Sequence, residues 1–248
     1  MRKGFLLMFS IFSSLFSLFS CKPKGEINFT IVETTDIHGM IFPYNFITDR
    51  EENTSMAHIS SFIKKLKSEG KTVLLLDNGD TLQGQPTVYY YNFVATNKKH
   101  IWAEVLNYMN YDIITMGNHD IEAGHTVYDK IVKEIKAPVI VANLINEKTK
   151  ETYFKPYSII KKNGIKIAVL GMIEPAIERQ LPKILYEGII AEDMIECAKK
   201  WIKIIKEKEK PDLIIGLFHS GANYTEDKEK YKNENASQLV AQEVDGFD

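Results

Sequence analysis

Asp36 and His38 stand two residues apart and offer a carboxylate and an imidazole; Asp80 offers a second carboxylate, Asn118 a neutral carbonyl oxygen and His219 a second imidazole. Mixed oxygen and nitrogen ligation of this kind suits borderline first-row divalent ions (Zn, Mn, Fe, Co or Ni) better than Mg alone, and it involves no thiolate. On an ideal strand, residues two apart point to one side, so Asp36 and His38 are expected to clamp one cation. The two oxygens of Asp80 suit a bridge between two. A pair of ions held about 3.5 to 4 Å apart shares a hydroxide and clamps a phosphoryl group for in-line attack. The chemistry implied by the set is therefore metal-assisted phosphoester hydrolysis. Each residue alone has an ordinary reading: an Asp or Asn after a strand is commonly a turn or cap residue, and a lone His is commonly hydrogen-bonded structure.

The joint pattern depends on where these residues fall. An apolar run precedes each: Phe29 to Thr35 before Asp36-Ile37-His38-Gly39, Val73 to Leu76 before Asp77-Asn78-Gly79-Asp80, Tyr111 to Ile114 before Thr115-Met116-Gly117-Asn118-His119-Asp120, and Asp212 to Phe218 before His219-Ser220-Gly221. Each reads as a buried strand. In open α/β sheets ligands bind beyond the carboxyl ends of the strands, so the four tails are expected to converge on one site.

Between these strands lie helical patterns: Met56, Ile59, Phe62, Ile63 and Leu66 closed by Gly70; Ile101, Val105, Leu106 and Met109; Val127, Ile131 and Ile135. A strand is expected over Pro138 to Val141, and a hairpin from Tyr157 to Ile160 and Ile165 to Leu170 turning at Asn163-Gly164. Gly171 to Glu187 and Gly39 to Asn53 read as loops, about Asp193 to Lys208 as a long amphipathic helix and Asn235 to Val244 as a helix. The alternation points to an α/β fold in layers. Val88-Tyr89-Tyr90-Tyr91 reads as a β-type aromatic cluster belonging to the core, with a base-stacking surface as the other reading. His58 and His100 read as structural, and His125 as a helix-start residue outside the site.

At 248 residues and 44% hydrophobic content the chain has enough apolar surface for one substantial domain. A formal charge of -2 provides no basic field for a nucleic-acid duplex, while a nucleotide-sized substrate remains compatible with it. Two cysteines, Cys21 and Cys197, exclude a disulfide-rich scaffold and a cysteine zinc cluster. Arg2 and Lys3 precede an apolar and Ser-rich run from Phe5 to Ser20, which reads as an export signal, the competing reading being a spanning helix near its lower length limit. Leu18-Phe19-Ser20-Cys21 resembles the lipobox of bacterial lipoproteins. That resemblance implies a signal peptide over residues 1–20, lipidation of Cys21 as a membrane anchor, a tether over 21–26, and a domain over 27–248 lying in the periplasm or on the cell surface. A secreted protein with an incidental Cys is the alternative.

The four tails together resemble the metal-binding motifs of the calcineurin-like metallophosphoesterases, and more narrowly the exported 5'-nucleotidase and 2',3'-cyclic-nucleotide phosphodiesterase branch, from about Ile27 onward. The resemblance implies a layered β-sheet sandwich flanked by helices. It assigns Asp36, His38 and Asp80 to a first divalent ion and Asp80, Asn118 and His219 to a second. It places Asn118 and His119 against the phosphate of a small-molecule ester, a nucleotide by the branch's substrate class. His119 then stabilises the transition state or acts as general acid. Glu122 stands where these enzymes pair the catalytic His with an Asp, so it either orients the imidazole or is a helix-start carboxylate. The branch's Gly-His-x-His motif and its C-terminal domain have no counterpart up to Asp248. With one ligand per ion missing, the 248-residue chain is expected to bind metal weakly and to turn over phosphate esters below about 1 per second. A catalytically impaired lipoprotein fragment is the alternative function.

Overall fold

A computed structural model describes residues 26–222 and 232–248. The expected signal peptide, Cys21 and all of the expected tether except Glu26 lie outside the described residues. The chain opens with β1 (Thr30–Thr34), a short hairpin of β2 (Tyr44–Asn45) and β3 (Arg50–Glu51), then α1 (Met56–Ser68) and β4 (Val73–Asp77). Next come α2 (Pro86–Phe93), α3 (Ile101–Met109), β5 (Ile113–Ile114), α4 (Asn118–Glu122), α5 (His125–Glu134) and β6 (Leu144–Asn146). The second half holds β7 (Tyr157–Lys162), β8 (Ile165–Ile173), α6 (Ile177–Gln180), β9 (Ile189–Ala191), α7 (Met194–Lys208), β10 (Leu213–His219) and α8 (Ser237–Glu243).

Two sheets carry the fold. The first has the order β1-β4-β5, all parallel; the second has the order β10-β8-β7, with β10 parallel and β7 antiparallel to β8. Side chains alternate across a strand, so a strand covered on both faces is apolar throughout. Such a strand is β4: Val73 and Leu75 pack with Ile63, Leu106 and Ile131 of the helices, while Leu74 and Leu76 meet Ile113, Ile140, Ile167, Val169 and Leu217 between the sheets. On the far side, Ala168, Leu170 and Met172 of β8 face Ala198 and Ile202 of α7 and Val240 of α8. Helix, sheet, sheet and helix form four layers, the β-sheet sandwich flanked by helices that the sequence led us to expect.

Local chemistry explains the boundaries. Asp193 caps α7 by accepting from the N–H groups of Ile195 and Glu196. Asn163 and Gly164, at φ 49° and 82°, turn the β7–β8 hairpin as a pair of left-handed residues.

Three expectations are corrected. Val88 to Tyr91 belong to helix α2, not to a β-type core cluster. Pro86 occupies the helix start, and Val88 and Asn92, four apart, form the buried side, which leaves Tyr89 and Tyr90 exposed. Pro138 to Val141 is an extended connector that makes only isolated bridges: Ile140 N–H bonds the Ile114 carbonyl of the first sheet, and Ala142 N–H bonds the Gly171 carbonyl of the second. The expected loop from Gly171 to Glu187 instead contains the last turn of β8, α6 and a short 3-10 helix over Lys183–Tyr186, because Gly171 to Ile173 remain paired with Leu217 to His219.

Candidate functional site

The carboxyl ends of β1, β4, β5 and β10 meet at one edge of the sandwich. Parallel pairing of β1 with β4 continues past the strands: Asn78 N–H bonds Thr34 carbonyl at 2.7 Å, Asp36 N–H bonds Gly79 carbonyl at 3.0 Å and His38 N–H bonds Asp80 carbonyl at 2.9 Å. Asp36, His38 and Asp80 adopt φ of 53°, 49° and 57°, the left-handed region that non-glycine residues rarely occupy. Asp36 and His38 thus lie beyond the end of β1, and the strand alternation expected for them does not operate; the left-handed turns bring them together. One ligand atom from each of Asp36, His38 and Asp80 lies within 4.8 Å of the others.

The loops after β4 and β5 are locked by Asp120. This buried carboxylate accepts from Asp80 N–H and Gly117 N–H at 2.8 Å each, from Thr81 and Leu82 N–H at 2.9 Å each, and from the Thr81 hydroxyl at 3.1 Å. Burial, and then the neighbouring Asp80 charge, push its pKa up against the pull of these backbone donors. The approach is close enough to require glycines. A Cβ on Gly79 would stand 2.2 Å from Gly117 N, and one on Gly117 would stand 2.1 Å from Asp80 Oδ1.

Each site histidine is oriented through Nδ1. A carbonyl oxygen only accepts, so His38 donates to Gln83 carbonyl at 3.2 Å and His219 to Asn78 carbonyl at 2.7 Å; His119 donates to the Glu122 carboxylate at 2.5 Å. All three Nε2 atoms are then left for the site. Asp80 is the hub, with Oδ1 accepting His119 N–H at 2.9 Å and Oδ2 lying 3.3 Å from His219 Nε2. His119 and His38 rings meet edge to face at 5.5 Å.

His219 Nε2 also lies 3.1 Å from Asn118 Oδ1. Burial disfavours a charged ring here, but the bond and charge of Asp80 outweigh it and raise the His219 pKa to about 9. Burial likewise works against the Asp80 carboxylate, and His219 overrides it, so the Asp80 pKa falls. Two acceptor oxygens directed at one ring nitrogen require positive charge among them, and a proton or a divalent cation meets that need.

Beneath the site, Asp77 is fully enclosed and accepts from the Thr34 hydroxyl at 2.6 Å; burial pushes its pKa up to about 7. Asn78 donates to Phe218 carbonyl at 3.1 Å, tying the first sheet to the second. A cleft of about 340 Å³ is lined by Asp36, Asn78, Asn118, Glu174 and His219. Asn78 Oδ1 and Glu174 Oε1 are buried without a hydrogen-bond partner, so the donor set has unspent oxygens as well as imidazole nitrogens. Burial raises Glu174 to about 7.

All seven residues expected at the site, Asp36, His38, Asp80, Asn118, His119, Glu122 and His219, are in this neighbourhood. Asn78 and two carboxylates were not foreseen there. Asp120 sat inside the quoted Gly117-to-Asp120 motif, and its signal was a carboxylate directly after the histidine; Glu174 lay in the expected loop and carried none. His58, His100 and His125 bond elsewhere, to Ser55, to Asn92, and to Tyr128 with Asp129.

The sequence pattern of the calcineurin-like phosphoesterases matches residues 29–246. A 2',3'-cyclic-nucleotide 2'-phosphodiesterase/3'-nucleotidase of Haemophilus influenzae is 28% identical over 212 residues, covering 81% of this chain and 32% of the relative. A 5'-nucleotidase of Vibrio cholerae is 33% identical over 197 residues, covering 77% of this chain and 34% of the relative. The chain thus spans about a third of the length of these curated relatives. The crystal structure of the calcineurin-like phosphoesterase YfkN from Bacillus subtilis superposes with a TM-score of 0.79 at 29% identity, over 88% of this chain and 69% of that one. A putative 5'-nucleotidase from Staphylococcus aureus, at 20% identity, a TM-score of 0.75 and coverage of 88% of this chain and 44% of that one, shares the fold.

Proposed function

This chain belongs to the calcineurin-like phosphoesterase family, and from that premise we propose that it hydrolyses nucleotide or related small phosphate esters with the help of two divalent metal ions. The observation that supports this most is the meeting of Asp36, His38 and Asp80, with ligand atoms within 4.8 Å of one another, beside the His119–Glu122 pair. The donor set fits first-row divalent ions: carboxylate, amide and imidazole donors, no thiolate, and unpartnered buried oxygens on Asn78 and Glu174.

Asp36, His38 and Asp80 would hold one ion, and Asp80, Asn118 and His219 the other. Bound there, the ions would lower the pKa of the attacking water and neutralise phosphoryl charge. The chain's own groups do the rest. Asn118 and His119 flank the phosphoryl group and orient it. Glu122 holds the His119 ring by Nδ1, so that Nε2 faces the departing oxygen and stabilises or protonates it. Asp120 keeps the Asp80 and Asn118 loops in register through backbone donors on both.

The test is metal content and hydrolysis of AMP by the wild-type chain and by Asp80→Ala. Loss of both in the variant is expected; equal content and equal rate would remove the site.

The likeness of Leu18-Phe19-Ser20-Cys21 to a lipobox supports a location outside the cytoplasm on a lipid attached to Cys21. Among the described residues, no helix is long and apolar enough to cross a membrane. Metabolic labelling with palmitate, lost in Cys21→Ser, is the expected outcome, and unlabelled wild type would exclude the anchor.

A further inference from the structure

Beside Asp36 and His38 opens a cavity of about 610 Å³, bordered by the loop after β1, the β2–β3 hairpin and the first turn of α1. The volume falls well inside the range of small-molecule sites. Ile37, Met40, Ile47 and Ile59 give it an aliphatic wall with no phenyl, phenol or indole ring. The polar side chains around them are largely spent on one another. Asn45 Oδ1 accepts from Ile47 N–H at 2.9 Å, Thr48 N–H at 3.1 Å and Gln85 Nε2 at 3.1 Å, and Gln85 Oε1 accepts from Phe46 N–H at 3.0 Å. Ser55 Oγ accepts from His58 N–H and shares a 2.8 Å bond with His58 Nδ1, while Glu52 is paired with Arg50 at 2.9 Å. Nor is the start of α1 an anion site, because Met56 N–H bonds Met40 carbonyl and Ala57 N–H bonds Ile41 carbonyl. Away from Asp36 and His38, the polar groups left in the wall are Asn53, Thr54 and His58 Nε2. A smaller cavity, about 300 Å³, lies between His119 and the exposed rings of Tyr89 and Phe93 on α2.

An aliphatic chamber that ends at a carboxylate and an imidazole of the metal cluster matches a molecule with a saturated hydrocarbon body and a phosphate head. A ribose would turn hydroxyl groups towards isoleucine side chains that cannot bond them. We infer that the larger cavity receives the alkyl group of a phosphate monoester whose phosphoryl group lies at Asp36, His38 and Asp80, so that the protein accepts esters of aliphatic alcohols beside nucleotides. The inference rests on the proposed function for the position of the phosphoryl group and adds a class of alcohol to it. Burying one methylene tightens binding by up to about fourfold, so affinity is expected to climb with alkyl length.

The experiment uses the 248-residue chain with Mn and two kinds of probe. Butyl-, hexyl- and octylphosphonate, whose P–C bond is not hydrolysed, report binding by calorimetry below their micelle concentrations. Turnover of octyl phosphate, AMP and ribose 5-phosphate reports the chemistry. Affinity should rise at least about tenfold from the butyl to the octyl compound. Ile47 is 64% exposed, so Ile47→Asp is expected to keep the wild-type unfolding midpoint. It should weaken octylphosphonate binding about tenfold, the scale of one apolar side chain, and leave KM for ribose 5-phosphate unchanged. Ile47→Leu should restore the affinity, and Phe93→Ala, at the smaller cavity, should not alter it. Equal affinity for the three lengths, or a length dependence that survives Ile47→Asp, overturns the inference. So does a length dependence lost in Phe93→Ala instead. Turnover of AMP and ribose 5-phosphate without any gain from alkyl length would overturn the alkyl site and leave the hydrolase reading standing. Binding that depends on alkyl length and on Ile47, without turnover of any ester, would remove the hydrolase reading and leave the alkyl site standing.

Discussion

Truncating Asp120 would leave the N–H groups of Asp80, Thr81, Leu82 and Gly117 buried without their acceptor. An unsatisfied buried donor costs roughly 1 to 3 kcal/mol, so Asp120→Ala is expected to lose at least about 3 kcal/mol in urea unfolding, and bound metal with it. Asp120→Asn keeps one oxygen and should fall between. A loss below about 0.5 kcal/mol in the alanine variant would show that Asp120 does not lock the loops. His100 gives the pH-dependent counterpart away from the site. Buried first and facing Lys130 second, it is held at a pKa of about 4 against an ordinary 6.5. Between those values the unfolded chain binds a proton that the folded chain refuses. The stability associated with the neutral ring is therefore complete above pH 6.5 and declines as pH falls towards 4, by on the order of 3 kcal/mol. Urea unfolding at about pH 7 and about pH 5 should show a smaller drop for His100→Gln than for wild type, and equal drops would exclude the assignment.

At the scale of elements, the close crossing of the two loops decides where the ligand atoms stand. A Cβ at Gly117 would come 2.1 Å from Asp80 Oδ1 and 2.7 Å from Asp80 N, so it cannot be accommodated by a side-chain swing alone. Gly117→Ala is expected to cost about 1 to 3 kcal/mol, the range of overpacking, and to lower metal content by moving Asp80. Thermal unfolding and metal analysis on the same preparation check this; unchanged values for both would mean that the loops have slack. Helix α2 shows the reverse case, an element whose exposed rings add nothing to the core and border the cavity beside His119. Its sequence, rich in tyrosine, favours a strand, but Pro86 and the Val88–Asn92 spacing overrule that preference.

For the molecule as a whole, the candidate site depends on two sheets remaining docked. His219 comes from β10 of the second sheet and reaches Asn78 and Asp80 of the first, at 2.7 Å to the Asn78 carbonyl and 3.3 Å to Asp80 Oδ2. The interface that holds these partners is the apolar layer containing Leu74, Leu76, Ile113 and Leu217. Leu217→Ala removes buried methyl groups two residues before His219 and is expected to cost about 2 to 5 kcal/mol, measured by urea unfolding. In variant protein that remains folded, weaker metal binding should accompany the loss, since the His219 ring is anchored across the same interface. A stability loss with unchanged metal affinity would separate the core from the site.

Residue types, strand tails and the alternation of strands with helices were legible in the amino-acid order because they rest on local patterns: near-continuous apolar runs along β4 and β8, and a period of 3.6 along α1, α3 and α7. Asp36, His38, Asp80, Asn118, His119 and His219 were legible as chemistry because each lies in a short polar tail that closes a strand-like run. Tertiary structure alone decided the left-handed turns that join Asp36 to His38, the five bonds on Asp120, the exposure of Tyr89 and Phe93, and the place of Glu174. Those features depend on partners far away in the chain: Asp120 bonds Asp80 across 40 residues, and His219 bonds Asn78 across 141. A local pattern records which groups a strand end offers; only packing determines what stands opposite them.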